Sequence, residues 1–152
     1  MGAKLTNGAE ILFRQIHPDL IQDGEPSSSN FCPKESDKDL LSVDRGALTT
    51  PKAAFDLFTS NGLKSAAVYG VSVDEFLNHK IPCEEDPLPA TEELKENLSH
   101  ALAIFSEFGR SKQKTLAKRI KQVALARGAL HAAPVEANDE TVVDDSEKPV
   151  AE

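Results

Sequence analysis

The sequence predicts an α+β domain, with a small mixed or antiparallel sheet flanked by helices and a disordered acidic C-terminal tail. Three observations predict it. Short β-rich runs alternate with segments that carry helix start and stop signals. The apolar residues suffice for one modest core, since 39% of the 152 residues are hydrophobic. The charge is sharply uneven: residues 110–127 hold seven Lys/Arg and no acid, whereas residues 128–152 hold seven acids and one Lys.

Residues 1–9 read as a flexible lead-in, 10–133 as one compact domain, and 134–152 as the tail, which is too poor in apolar residues to offset the entropy of ordering. Ile11-Leu12-Phe13-Arg14-Gln15-Ile16 reads as a strand ended by His17-Pro18, because the residue before proline is pushed out of the helical region. Asp19–Ile21 suggests a short helical turn. Asp23-Gly24 and Pro26–Asn30 are turn chemistry. Phe31–Pro33 reads as a short edge strand, Lys34–Asp39 as loop, and Leu40–Val43 as a strand stopped at Arg45-Gly46.

Thr50-Pro51 starts a helix: the hydroxyl caps free N–H groups, and proline at the first helical position gives up nothing it needs. Asn61-Gly62 closes it. Ala66–Val71 is an interior strand, and Ser72 with Glu75 forms a capping box for a short helix over 73–79. Residues 82–89 are acidic and proline-rich and read as a connector, with a helical turn at Thr91–Lys95. Ser99–Phe105 fits a helix through Leu98, Leu102 and Phe105 and a strand through Leu102 and Ile104. The strand is preferred because Ile104-Phe105 favour it. Ser111 is expected to cap the longest helix, over 112–127, with Leu116, Ile120 and Val123 as its apolar stripe and Gly128 as its stop.

No apolar run is long enough to cross a bilayer, and the N-terminal residues lack a signal-peptide core, so the expectation is a cytoplasmic protein without membrane contact. Cys32 and Cys83 are expected as reduced thiols, a single bridge between them being the alternative. Cys32, His79, Cys83 and His100 lack the paired spacing of a zinc site, and no glycine-rich phosphate loop or nucleophile elbow occurs, so no metal or cofactor is expected.

Two clusters carry the functional expectations. Arg14 inside an apolar strand, His17 at its end and the Ser27-Ser28-Ser29 loop suit a phosphate or nucleotide ligand, with Arg14, His17 and Ser28 as catalytic candidates. A solvent-facing Arg14 and a plain turn histidine are the alternatives. The basic helix offers Arg110, Lys114, Lys118, Arg119 and Lys121 to an acidic protein or to nucleic acid, unless the acidic rest of the chain neutralises it. The tethered acidic tail is then a local competitor.

The order Arg14-Gln15-Ile16-His17-Pro18, Ser28-x-x-Phe31-x-Pro33, Leu41-Ser42-Val43, Val68-Tyr69-Gly70-Val71 and Ala126-Arg127-Gly128 resembles a small bacterial protein family of unassigned role. The resemblance implies a bacterial cytosolic protein and a compact domain, and carries no activity. An Arg on a first strand followed by a Ser-rich stretch is also similar to the core of ADP-ribosyltransferases, but their catalytic Glu-x-Glu element has no counterpart here. The expected function is a non-catalytic interaction protein, an accessory or immunity-type factor with a protein partner. The alternatives are a small enzyme acting through Arg14, His17 and the serine loop, and nucleic-acid binding by the basic helix. Oligomeric state is left open.

Overall fold

The computed structural model describes residues 2–134. The acidic tail expected over 134–152 therefore lies, except for its first residue, outside the described residues. The fold is α+β. Six strands form one sheet: β1 (Ile11–Ile16), β4 (Leu40–Arg45), β5 (Ala67–Ser72), β6 (Cys83–Glu85), β7 (His100–Ile104) and β8 (His131–Ala132). Their order is β6-β7-β4-β1-β5-β8, and every neighbouring pair is antiparallel. The ribbon β2 (Ile21–Gln22) and β3 (Glu25–Pro26) stands apart. The helices are α1 (Pro51–Ser60), α2 (Val73–Leu77) and α3 (Arg110–Arg127).

Strand alternation divides the core between the two faces of the sheet. On the first face Leu12, Ile16, Val43, Val71 and Ala103 meet Leu116, Ala117, Ile120 and Ala124 of α3. On the second, Phe13 and Val68 meet Ala54 and Phe55 of α1. With few aromatics to spend, the chain buries Phe31, Phe76 and Phe105 completely on the first face.

The local signals produce the expected elements. Thr50 accepts the Ala53 N–H, and Ser72 with Glu75 completes the capping box. Gly46 closes the β4 turn because a side chain there would run into the Ile11 carbonyl, to which its N–H donates. Arg45 grips the buried Glu10 with two hydrogen bonds of 2.9 and 3.1 Å. Arg127 holds Glu75 in the same way and also donates to the Gly70 carbonyl, which ties the end of α3 to α2 and β5.

Several expectations are corrected. Ser111 does not cap α3; the helix starts from Gly109 because Gln113, only 1% exposed, must sit within the first turn. There its amide donates to Asp39 and to the Phe108 carbonyl, both at 2.8 Å. Phe31–Pro33 is not a strand: Ser28–Phe31 forms a 3-10 turn that packs on α3. The connector 82–89 contains β6, held by β7. Thr91–Lys95 is a hydroxyl-capped bend, with Thr91 Oγ1 accepting from Glu93 and Leu94, and not a turn of α-helix. Residues 3–5, expected in a loose lead-in, pair with β6 from outside, and Leu5 is buried. Both cysteines are free and buried. No helix among the described residues is long and apolar enough to cross a membrane.

Ile120 is wholly buried between α3 and the sheet. Ile120→Ala is expected to lower the unfolding free energy by about 2–5 kcal/mol, read from the urea midpoint.

Candidate functional site

The residues that suggested a phosphate site are separated by the fold. Arg14 is partly buried, spends two of its three nitrogens on backbone carbonyls, and also lines a cavity of about 390 Å³ between β1, β4 and α1. Its Nε donates to the Asn30 carbonyl at 2.6 Å and its Nη1 to the Ser42 carbonyl at 2.9 Å. Burial pulls the guanidinium down to about 10 against the upward pull of Asp37 and Asp44, so it stays charged at neutral pH. Asn30, 1% exposed, completes the fixture. Its side-chain oxygen accepts the His17 N–H, and its amide donates to the Leu20 and Ser27 carbonyls. His17 Nδ1 accepts the Asp19 N–H and caps the 3-10 turn Pro18–Leu20. Arg14, His17 and Asn30 thus hold the segment 17–31 on the first face of the sheet.

That fixture joins the two clusters the sequence kept apart. The Ser28–Phe31 turn is pressed against α3, and between them runs a groove of about 500 Å³. Ser28, Ser29 and Lys34 line one side, and Arg110, Lys114 and Lys118 the other. Lys34 was not foreseen; only its place four residues after the buried Asn30 puts it there. Arg110 Nη1 donates to the Pro33 carbonyl at 2.6 Å and to Gln113 at 3.1 Å, which fixes the groove's end. The Cys32 thiol also lines it. Burial raises that thiol, against the opposing pull of Arg110 and Lys114, so it stays protonated.

Of the other α3 cations, Lys121 continues the Arg110-Lys114-Lys118 row beyond the groove, and Lys112, Arg119 and Arg127 do not line it. Among the described residues no carboxylate lies within 4.0 Å of Lys112, Lys114, Lys118, Arg119 or Lys121. Cys32, His79, Cys83 and His100 do not converge, and among the described residues no group of three or more His, Cys, Asp or Glu is placed to hold a metal ion.

No family model matches the sequence, and no curated protein or solved structure matches it either.

Because Arg14 supports two backbone carbonyls, Arg14→Met is expected to cost about 2–4 kcal/mol of stability in urea unfolding. His17→Ala, which removes only a turn cap, should cost about 1 kcal/mol.

Proposed function

We propose that this chain is a non-catalytic interaction protein, an accessory or immunity-type factor, that takes an acidic protein surface along α3 and the adjoining serine groove. The observation that carries the reading is the unneutralised charge of α3. The chain has 25 acidic residues, yet five cations of this helix have no intramolecular partner among the described residues. Arg110, Lys114, Lys118 and Lys121 follow one another at spacings of three and four. Like charges at those spacings each weaken a helix by a few tenths of a kcal/mol, about 0.2–0.5. A partner that supplies the missing carboxylates removes that repulsion and gains from the serine hydroxyls at the groove's edge.

The groove contains no aromatic side chain on which bases could stack, which favours protein over single-stranded nucleic acid. Arg14 through Nε and Nη1 and His17 through Nδ1 bond the backbone, and neither meets Ser28 around one pocket, so the reading takes no catalytic step through them.

The test is fluorescence anisotropy of a labelled oligoglutamate peptide, with single-stranded DNA of equal charge as competitor, on the full chain. The peptide is expected to bind at low ionic strength and to weaken steeply as salt shortens the screening length. Lys114→Glu with Lys118→Glu should weaken it by about tenfold or more. An unchanged affinity in the double variant would remove the groove as the site. Tighter binding of the DNA would replace the protein partner with a nucleic acid.

A further inference from the structure

The second face of the sheet holds a partly open cavity of about 390 Å³ that the proposed interaction does not use, a volume in the range of small-molecule sites. Its floor is β1, β4 and β7, one wall is α1, and the other is the segment 88–97. Leu88 and Asn97 close that segment on itself by exchanging backbone hydrogen bonds of 2.9 Å. The Lys95 N–H ties its tip to Asn61 Oδ1, at the end of α1, at 3.0 Å. Most of the lining surface is apolar, supplied by Phe13, Leu57, Phe58, Leu63, Leu88 and Leu94. Leu63, Leu88 and Leu94 remain 39–47% exposed, so three uncovered leucines share one cavity.

Two opposite charges line the same chamber. The β1–β4 pairing stops after Phe13 and Asp44, and the Arg14 side chain reaches from β1 to β4 where it has ended. Its Nη1 is 2.9 Å from the carbonyl of Ser42, a residue that is exposed and lines the cavity. On the first face the buried Asn30 covers the guanidinium, its carbonyl taking Nε at 2.6 Å. Asp44 lies two residues along β4 from Ser42, about 7 Å away at the rise of an extended strand, and also lines the cavity. Its Oδ1 accepts from Asn97 at 2.8 Å. Arg14 Nη2 and Asp44 Oδ2 are left without a hydrogen-bond partner among the described residues. Neither atom is sealed in, because Gln15 Nε2 is the one enclosed side-chain polar atom there that lacks a partner. Both residues border this cavity, and neither borders the groove on α3.

The two charges form no ion pair within 4.0 Å. They are near enough to act on each other: burial pushes the Asp44 carboxyl up and the Arg14 guanidinium down, and each partly offsets the shift of the other. Of the other ionisable groups at the cavity, His100 is engaged with Asp86 through Nδ1 at 3.1 Å, and Lys95 is exposed. An α-amino acid carries its carboxylate and its ammonium on one carbon. With a hydrogen bond at each end, those two groups span roughly 6–8 Å. We propose that the cavity binds an apolar α-amino acid as its zwitterion. The carboxylate is held by Arg14 Nη2 and the Ser42 hydroxyl, the ammonium by Asp44 Oδ2, and the side chain by Phe58 and the leucines. A plain apolar acid would set its charge against Asp44, and a plain apolar amine would set its charge against Arg14; the zwitterion satisfies both.

The probes are L-phenylalanine and L-leucine, titrated calorimetrically into the full chain. The controls are 3-phenylpropanoate, which lacks the ammonium, and L-phenylalaninamide, which lacks the carboxylate. At least one of the two amino acids is expected to bind, and each control to bind at least about tenfold more weakly than L-phenylalanine. Asp44→Asn keeps an oxygen for Asn97 and removes the charge. It should weaken L-phenylalanine by about tenfold yet strengthen 3-phenylpropanoate, opposite signs that a loss of folding would not produce. Leu94→Ser should weaken L-phenylalanine with the thermal midpoint unchanged, and Lys114→Glu with Lys118→Glu should leave its affinity as it was. Absent binding of both amino acids, equal binding of either control, or an unchanged L-phenylalanine affinity in Asp44→Asn would each overturn the proposal. So would tighter binding of 3-phenylpropanoate to the unaltered chain, which would make the ligand a plain apolar acid.

Discussion

The structure depends on the double burial of β1. It is flanked by β4 and β5 and covered on one face by α3 and on the other by α1, so four of its six residues are buried and Ile11 and Arg14 are partly so. Yet its sequence places Arg14 and Gln15 side by side, one for each face. A buried charge or amide is tolerable only with partners. Arg14 finds its partners in two backbone carbonyls. The β1–β4 ladder pairs only Leu12 with Arg45 and Phe13 with Asp44, and where it stops the guanidinium takes the Ser42 carbonyl that the next rungs would have used. By also taking the Asn30 carbonyl it draws the 17–31 segment onto the sheet and sets the serine turn against α3. Gln15 is satisfied at one atom only: its Oε1 accepts the Ser65 hydroxyl, and its buried Nε2 has no partner.

The groove and the cavity therefore lie on opposite faces of the sheet, and β1 contributes to the placement of both. The groove is open and basic, and its charges act at a distance. The cavity is partly open and mostly apolar in surface, with Arg14, Asp44 and His100 among its lining residues.

Elements with their own local punctuation were legible in the sequence. Thr50-Pro51 and Asn61-Gly62 bound α1, and Ser72 with Glu75 starts α2, because capping satisfies backbone groups within one turn. The antiparallel partner at 100–104 was legible from its β-formers. β6 was not, since three residues in an acidic, proline-rich stretch become a strand only through β7 and the chain start, both distant in sequence. The cap of α3 was misread for a related reason: the buried contacts of Gln113 with Asp39 outweigh the preference of Ser111 for a cap position. Of the groove, the serines and lysines were visible separately, but their meeting depends on Asn30, whose role no local pattern announces. The floor of the cavity comes from Gln15, Asp44, Asn97 and His100 on three strands and a loop, a set with no spacing to recognise.

The pairing of residues 3–5 with β6 also bears on how this sheet ends. An uncovered outer strand offers a row of unpaired amides and carbonyls to any passing chain, and so seeds fibrous or swapped assemblies. Here one margin is sealed by the Leu5 and Glu85 amides, which donate across to Cys83 and Ala3, and the other is cut short at two residues in β8. Residues 3–5 thus act as a guard rail along β6, and a truncation that removes them would expose a template for strand addition.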